Sequence, residues 1–330
     1  MNVLVTGGAG YIGSVIVEFL IRQGHAVAVL DSLYKGHAAA VTSSAKLITA
    51  DLADLETLKR ALDAAQADAV VHMAADSLVG ESMTNPAKYF RNNVVNSQNL
   101  VDAMLASGVQ RLVFSSTAAV YGEPETVPIT EDLPLAPTNV YGETKLAFER
   151  MLGWYDRISD LRWIALRYFN AAGATDAHGE DHNPESHLIP IVLQVPLGKR
   201  ESVQLFGTDY PTEDGTCIRD YIHVADLADA HIKALEALAP QTAAVPSGAY
   251  NLGNGTGYSN RQVIEACRRV TGDAIPVVEA PRRPGDPAAL VASSERIRRD
   301  LGWTPRYPEI EQIVDSAWRW HRQHPSGYGA

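Results

Sequence analysis

The sequence has few cysteines, no long apolar run and a shortage of positive charge. Its 330 residues include only Cys217 and Cys267, which match no metal or redox spacing, so we expect two buried thiols in a reducing compartment. No apolar stretch approaches the roughly 18 residues of a membrane helix, and no basic-then-apolar leader precedes the first predicted strand. Lys and Arg number 28 against 39 Asp and Glu, a formal net charge of −11. Because sequence-independent nucleic-acid binding needs a basic surface, we expect no nucleic-acid partner. From the missing apolar span and leader we expect a cytoplasmic protein with no membrane partner.

A glycine-rich turn lies close to the start of the sequence. Residues 5–13 read Val-Thr-Gly-Gly-Ala-Gly-Tyr-Ile-Gly, between a short apolar run of strand type and a segment with apolar residues at helical spacing. Gly7, Gly10 and Gly13 would permit a sharp turn, a close approach of a pyrophosphate to the main chain, and close packing of the helix. The N–H groups at the start of that helix attract phosphate. Three glycines also mark ordinary turns, but this context favours a dinucleotide site.

An acidic residue, Asp31, follows the next apolar run, Ala26–Leu30. A carboxylate at that position can accept hydrogen bonds from both hydroxyls of the adenosine ribose, and it would repel a 2′-phosphate. The sequence therefore predicts NAD rather than NADP as the cofactor.

Strand-like and helical segments alternate through the first half of the chain. The predicted strands are Val3–Thr6, Ala26–Leu30, Lys46–Ile48, Ala69–His72, Arg111–Ser115 and Trp163–Arg167, and the clearest helices are Ser14–Gln23, Leu55–Ala65, Tyr89–Ser107 and Tyr141–Ile158. Fully apolar strands in such an alternation predict an α/β fold with a doubly wound parallel sheet of the Rossmann type, which binds ligands at the carboxyl ends of its strands. After Phe169 the pattern becomes polar and irregular. We expect a NAD-binding domain over residues 1–170, with a return segment near 218–237, and a smaller C-terminal substrate-binding lobe over most of 171–330.

A tyrosine and a lysine stand four residues apart where the last predicted helix begins. Tyr141 and Lys145 would share one helix face, and an ammonium group beside the phenol would lower the tyrosine pKa and make it a plausible general base. Hydroxyl residues, Ser115 to Thr117, end the strand upstream, where a ligand would lie, and Thr117 can donate to a substrate oxygen. A solvated tyrosine and lysine at this spacing are common by chance, but all three elements together favour a catalytic set.

These motifs, in this order, resemble the extended short-chain dehydrogenase/reductase superfamily. Four further segments, Arg167–Asn170, Phe206–Thr216, Arg219–Val224 and Arg282–Asp286, make the chain similar to the UDP-galactose (UDP-glucose) 4-epimerase family, from Met1 to the final helix near His321. The resemblance implies an isomerase that interconverts UDP-galactose and UDP-glucose by epimerisation at C4 through a 4-keto intermediate. It also implies that NAD is a retained cofactor, that the substrate is a UDP-hexose, and that the protein is a homodimer.

The resemblance also implies a set of site residues. The catalytic residues would be Thr117, Tyr141 and Lys145. The cofactor-binding residues would be Gly7, Gly10, Tyr11, Ile12, Gly13, Asp31, Ser32, Leu33, Lys35, Gly36, Asp51, Leu52, Met73, Ala74, Ala75, Ser77, Asn92, Ser115, Tyr141, Lys145 and Phe169. The substrate-binding residues would be Thr117, Tyr141, Asn170, His187, Leu188, Gln204, Leu205, Phe206, Arg219, Arg283, Asp286 and Leu290.

The sequence departs from the family pattern at four of these positions. Thr117 stands where Ser is frequent, Ser77 where some members carry Lys, and His187 where others carry Asn. A bulky tyrosine four residues after Asp286 is associated with plain hexoses, whereas this chain has Leu290. We therefore expect activity on the N-acetylated pair, UDP-GalNAc and UDP-GlcNAc, as well.

Three alternatives remain at this stage. A UDP-pentose 4-epimerase is possible, whereas a 4,6-dehydratase is disfavoured because Ala118 and Ala119 follow Thr117 where an elimination would need acids. A non-catalytic NAD-sensing module would not need the tyrosine and lysine. The polar loop with His178, His182, His187, Glu180, Asp181 and Glu185 suggests a metal cluster, but the reaction needs none and such loops are usually solvated, so we predict no metal.

Overall fold

A computed structural model describes residues 1–240, 242, 245–283 and 285–329. Pro284 of the Arg282–Asp286 segment, and Gln241, Ala243, Ala244 and Ala330 of the predicted lobe, lie outside the described residues. Within the described ranges, no helix combines the length and the apolar character needed to cross a bilayer.

The chain folds into thirteen strands and eleven α-helices over the described ranges. The strands are β1 (Asn2–Thr6), β2 (Ala26–Asp31), β3 (Lys46–Thr49), β4 (Ala69–His72), β5 (Arg111–Thr117), β6 (Arg162–Tyr168), β7 (Asn170–Ala172), β8 (Val203–Phe206), β9 (Ile218–His223), β10 (Gly248–Leu252), β11 (Gly257–Ser259), β12 (Val277–Ala280) and β13 (Ala289–Leu290). The helices are α1 (Tyr11–Arg22), α2 (Leu55–Ala65), α3 (Val79–Thr84), α4 (Pro86–Phe90), α5 (Asn96–Ala106), α6 (Val140–Ile158), α7 (Leu188–Leu193), α8 (Val224–Ala237), α9 (Asn260–Thr271), α10 (Glu295–Leu301) and α11 (Ile310–Gln323).

Seven parallel strands form the large sheet, in the order β10-β6-β5-β4-β1-β2-β3. The order reverses beside β1, as in a doubly wound sheet, and the predicted fold class is confirmed. All six predicted strands are present. The seventh, β10, is not predicted, because Asn251 interrupts its apolar run.

Both faces of this sheet are buried. Val3 and Val5 of β1 pack in a cluster with α1 and α8, whereas Leu4 packs on the other face with α2 and α5. Neighbouring side chains of a strand point to opposite faces, so only a strand covered on both sides is apolar throughout. This is why the uninterrupted apolar runs of the sequence predict the sheet.

One of the predicted helices, Tyr89–Ser107, is interrupted in the structure. Residues 89–107 do not form a single helix: α4 ends at Phe90, a π-helical turn occupies Arg91–Val95, and α5 then begins at Asn96. Side chains of Asn92 and Asn93 in this turn bond with Asp76, which follows β4. Such a bulge re-aims side chains of a helix and is frequent at functional sites.

The second half of the chain forms two smaller sheets, and it also contributes β10 to the large sheet and α8 to the layer that covers it. Strands β7, β11 and β13 each pair with β9, and β8 pairs with β12. A separate core lies among α7, α9 and α11. The return segment near 218–237 is β9 followed by α8, and α8 packs against α1 of the large unit.

Candidate active site

The glycine-rich turn joins β1 to α1, as predicted. Gly7 has φ +71°, and a Cβ on it would lie 2.5 Å from the backbone nitrogen of Ala74; a Cβ on Gly13 would lie 2.2 Å from the carbonyl oxygen of Gly7. These two glycines are required by the protein's own packing. A Cβ on Gly10 would meet only that same carbonyl, at 3.4 Å, so the side of the turn at Gly10 is open to a ligand. Gly10 also precedes α1 and has no side chain to cap it, so the first N–H groups of the helix can receive phosphate oxygens.

Asp31 holds this turn against the end of β2. Its carboxylate accepts hydrogen bonds from the N–H groups of Ala9 (3.0 Å) and Leu33 (2.8 Å). Leu33 has φ +58°, an unusual conformation for a residue other than glycine, and its N–H bond to Asp31 supports it. The carboxylate that we assign to the cofactor ribose is therefore held in place by the backbone around it.

The side chain of Tyr11 points away from the glycine turn. Its hydroxyl donates to the carbonyl oxygen of Gly173, 2.5 Å away and beyond β7. Lys35 donates in the same direction, to the carbonyl oxygen of Asn183 (3.1 Å). Only the backbone of Tyr11 can therefore serve a phosphate, and its ring instead joins the two halves of the chain.

The three predicted catalytic residues lie together at the carboxyl end of β5 and the start of α6. The Lys145 ammonium donates to the carbonyl oxygen of Ser115 (2.8 Å) and lies 5.9 Å from the centre of the Tyr141 ring. Thr117 lies close enough to Tyr141 to oppose the rise of its pKa, and its hydroxyl accepts from the N–H of Ala119 (3.1 Å). The side chains of Thr117 and Lys145 are buried. The sequence motifs, 24 or more residues apart in the chain, thus converge on one point.

Burial dominates the protonation of this set. It raises the pKa of Tyr141 to about 12, and the hydrogen bond with Thr117 offsets only part of the rise. Burial also lowers the pKa of Lys145 to about 7, against the opposing influence of the Glu149 carboxylate. The expected lowering of the Tyr141 pKa is therefore not found in the protein without NAD, because burial disfavours the charged forms of both groups.

A buried ion pair, which is not predicted from the sequence, joins α6 and β6 next to the catalytic strand β5. The Arg167 guanidinium donates to both carboxylate oxygens of Glu149 (3.1 and 2.6 Å) and to the hydroxyl of Tyr121 (2.7 Å). Tyr121 donates in turn to Asn251 of β10 (2.7 Å), and Ser116 of β5 donates to Glu149. One sequence signal was available, because Glu149 stands four residues after Lys145 on the same helix face.

The end of β4 carries the predicted Met73, Ala74 and Ala75, and a polar network follows them. Asn92 donates to the buried Asp76 (2.9 Å), and Asn93 connects Asp76 to Thr144 of α6 (3.1 Å). Lys88 approaches Asp76 (3.3 Å), so a cation is present at this edge although Ser77 itself is exposed and uncharged. Of this network, only Asn92 is predicted from the sequence.

The remaining predicted cofactor residues occupy loops at the carboxyl ends of neighbouring strands. Ser32 and Gly36 follow β2, Asp51 and Leu52 follow β3, and Phe169 follows β6. Leu52 is buried and its carbonyl accepts from Asn99 (3.1 Å), whereas Asp51 is exposed. These positions share one edge of the large sheet, where ligands of doubly wound folds bind.

The predicted substrate residues lie on the smaller sheets in two groups. Arg219 of β9 pairs with Asp286 (3.1 Å), and Leu290 of β13 stands opposite Arg219 in the strand register. The Arg283 guanidinium stacks on the Phe206 ring at 4.1 Å, next to Gln204 and Leu205 of β8. Asn170 lies on β7, paired with β9, and His187 and Leu188 begin α7.

Leu290 also connects the substrate group to the cofactor side. With Phe169 it packs against an apolar cluster that contains Tyr121 and Leu146. The residue expected to limit space around the sugar and the residue expected near the nicotinamide therefore border the same cluster.

The polar loop between β7 and α7 is not simply solvated. Glu180 and His178 are buried, and the side chains of Glu180, His182, Glu185 and His187 bring one nitrogen or oxygen each to within 4.8 Å of one another. The sequence prediction of an ordinary solvated loop is wrong for His178 and Glu180, whereas His187 is exposed as expected.

Comparisons with known proteins agree with this architecture. A UDP-glucose 4-epimerase from Halalkalibacterium halodurans is 55% identical over 330 residues, covering 99% of this chain and 98% of the relative. A crystal structure described as UDP-glucose 4-epimerase has a TM-score of 0.96 at 50% identity and covers 99% of both chains. The Brucella ovis UDP-glucose 4-epimerase in complex with NAD has a TM-score of 0.92 at 43% identity, covering 96% of this chain and 97% of that one. Residues 3–253 match the NAD dependent epimerase/dehydratase family, and the chain belongs to that family.

Proposed function

We propose that this protein is a UDP-glucose 4-epimerase, an NAD-dependent isomerase that interconverts UDP-galactose and UDP-glucose by inverting C4. The observation that carries the proposal is the set of Thr117, Tyr141 and Lys145 at the end of β5, with Thr117 and Lys145 buried and Tyr141 half-buried, beside a glycine turn with an open side at Gly10. The high identity to epimerases over nearly the whole chain supports the same reaction.

The residues around the glycine turn fit NAD. The start of α1 would receive the pyrophosphate, Asp31 the adenosine ribose, and Lys145 the nicotinamide ribose. When bound, NAD⁺ would take a hydride from C4 of the sugar and return it to the opposite face, so that the cofactor is regenerated. A carboxylate at Asp31 would repel the 2′-phosphate of NADP.

The chain's own residues would handle the proton. Tyr141, as its phenolate, would remove the proton of the 4-hydroxyl as that carbon is oxidised to a ketone, and would give the proton back as the ketone is reduced. Thr117, which lies beside Tyr141, would donate to the same sugar oxygen. The protonated form of Lys145 would favour the phenolate electrostatically.

The diphosphate would anchor the substrate while the sugar turns. Arg219 lies on β9 and Arg283 in the loop after β12, and guanidinium groups pair well with phosphate oxygens. Binding energy would then come mainly from UDP, which leaves the ketone free to present its other face without dissociating.

The sugar pocket would admit an N-acetyl group. Leu290 stands opposite Arg219 in the strand register and packs against the cluster that contains Tyr121, and it lacks the ring and hydroxyl of a tyrosine. We therefore extend the proposal to UDP-GalNAc and UDP-GlcNAc.

The proposal includes an assembly and a location. Residues 1–170 with the return segment would bind NAD, and most of 171–330 would bind the UDP-sugar. Two copies would pair through α5 and α6 with the π-helical turn between α4 and α5, because Val95 and Trp154 keep 53% and 63% of their surface exposed. The homodimer would work in the cytoplasm.

The test is a coupled assay with purified protein and UDP-galactose. We expect UDP-glucose to form without added reductant and without net NADH. Activity on a UDP-pentose alone, or a dehydrated product, would support one of the rival nucleotide-sugar enzymes instead. NAD binding without turnover of any UDP-sugar would support the NAD-sensing module.

A further inference from the structure

The loop between β7 and α7 contains a group of four side chains that the proposed reaction does not use together. Glu180, His182, Glu185 and His187 lie within eight residues of the chain, and their nitrogen and oxygen atoms converge. The Nδ1 atoms of His182 and His187 lie 3.0 and 2.6 Å from the same oxygen of Glu180. His187 Nδ1 also lies 3.3 Å from an oxygen of Glu185.

This convergence brings together the donor types of a metal-ligand shell. His187 Nδ1 lies within 3.3 Å of two carboxylates, and one oxygen of Glu180 lies within 3.0 Å of two imidazole nitrogens. Around Zn²⁺, with bonds of about 2.0–2.2 Å, the ligand atoms of a tetrahedron stand about 3.3 Å apart. Three of the separations, at 3.0, 2.6 and 3.3 Å, are near or below that value, and all four ligand atoms lie within 4.8 Å of one another.

Charge and support favour a cation as well. Glu180 is 5% exposed, and a carboxylate so deeply buried requires a compensating charge, which either a bound cation or the protonated form of the adjacent His187 would supply. Glu185 is oriented by the backbone N–H groups of Ser186 (2.7 Å) and His187 (2.8 Å), which donate to the oxygen nearest His187. Metal-binding carboxylates are commonly fixed by such outer hydrogen bonds.

We propose that Glu180, His182, Glu185 and His187 bind one divalent transition-metal ion, for which Zn²⁺ has the matching ligand preference. This inference goes beyond the proposed function and replaces our expectation of no metal. The ion would be structural, with four protein ligands. His187 would bind it through Nδ1, which leaves the other ring nitrogen for the substrate.

The ion would stabilise the loop that connects the two halves of the chain. His37, in the loop after β2, contacts the carbonyl of Asp181 (3.1 Å), and Lys35 contacts that of Asn183 (3.1 Å). The same loop ends at His187, where α7 begins and presents Leu188. Removing the metal should therefore loosen the loop without removing any catalytic residue.

The experiment measures metal binding on the full-length, tag-free protein. The protein is stripped with a chelator, mixed with Zn²⁺, desalted, and its zinc measured by mass spectrometry; competition with a chromogenic chelator gives the affinity. We expect about one zinc per chain in the wild type. His182→Gln should weaken binding by at least roughly 100-fold, because loss of an outer partner alone costs 10- to 100-fold. His25 contacts the amino terminus and lies far from the four cluster residues in the sequence. His25→Gln is therefore the matched control and should bind zinc as the wild type does.

Cobalt substitution makes the test independent of the variants' folding. Co²⁺ in the wild type should give the intense visible absorption of a four-coordinate site, and Zn²⁺ should abolish it. The proposal would be overturned if the stripped wild type retained no zinc after desalting. It would also be overturned if His182→Gln bound zinc as tightly as the wild type does. A protonated, hydrogen-bonded cluster is then the correct account. Epimerase activity plays no part in either readout, so the metal site and the proposed function fail separately.

Discussion

Tyr141 has to lose its proton to act as a base, and its surroundings oppose that loss. Burial raises its pKa to about 12 and lowers that of the neighbouring Lys145 to about 7. Both shifts disfavour charge, so the phenolate needs a further cation close by. The positive nicotinamide ring of bound NAD⁺ is such a cation, which couples the base to the presence of the oxidised cofactor.

Replacing Tyr141 by Phe removes only the proton acceptor. We expect Tyr141→Phe to lower kcat by roughly 100- to 10,000-fold while NAD and UDP still bind, as checked by steady-state kinetics and calorimetry. Tyr155→Phe is the matched control, because Tyr155 lies on the same helix and its hydroxyl bonds with Asp102, outside the site. Turnover near the wild-type rate in Tyr141→Phe would refute the assignment.

Leu290 should set the range of sugars. A tyrosine ring would fill space that an N-acetyl group needs, and overpacking of that kind costs roughly 1–3 kcal/mol. We expect Leu290→Tyr to lower kcat/KM for UDP-GalNAc by roughly 10- to 100-fold and to leave UDP-galactose turnover largely intact. Leu290→Met, similar in volume, is the control. A wild type already inactive on UDP-GalNAc would contradict this account of Leu290.

Residues carried by contiguous motifs were accessible from the sequence, whereas those joined across the fold were not. Tyr141 and Lys145 share a helix face, so their proximity follows from spacing. The bonds from Arg167 to Glu149 and Tyr121, and from Tyr121 to Asn251, join four separate elements. No local pattern reports such a network, since each member looks like an ordinary polar residue in its own segment.

At the scale of elements, the sequence predicts where strands lie better than where helices break. Fully buried strands are apolar without interruption, so their existence can be inferred from composition. The π-helical turn at Arg91–Val95 instead bonds, through Asn92 and Asn93, with Asp76, which follows β4 and is distant in the sequence. Partners of this kind become visible only in the folded chain.

The exposed apolar residues on α6 and the turn before α5 predict an interface. Leu100, Met104, Leu146 and Phe148 of these helices are buried within the chain, whereas Val95 and Trp154 are exposed. We expect a dimer mass at micromolar concentration and a shift to monomer in Trp154→Glu, measured by sedimentation. Val278→Glu, on the exposed strand β12, is the control and should remain dimeric. A monomeric wild type would contradict the interface.

At the scale of the whole molecule, buried neutral histidines should make stability depend on pH. Burial lowers the pKa of His72 to about 3 and those of His223 and His231 to about 4. The unfolded chain, with histidine pKa values near 6.5, therefore binds more protons between pH 6.5 and 4. Their contribution to stability is fully present above pH 6.5 and is lost as the pH falls, by up to about 1.4 kcal/mol per pH unit for each histidine.

This slope can be measured by urea unfolding between pH 7 and 5. His72 bonds with Thr6 (2.7 Å) and Ser97 (2.8 Å), so His72→Gln should lower stability at every pH. The same variant should also make the fall in stability toward pH 5 shallower, because one titrating group is gone. Equal slopes in the variant and the wild type would show that His72 is not the titrating group.

In the proposed function, one site oxidises and reduces the same carbon without releasing the intermediate. UDP-galactose carrying deuterium at C4 tests it most directly, in ordinary water, with mass spectrometry and NMR of the product. We predict UDP-glucose that retains the deuterium at C4, with no free NADH and no exchange with solvent. Deuterium lost to water, or transferred to NADH released into solution, would contradict the account.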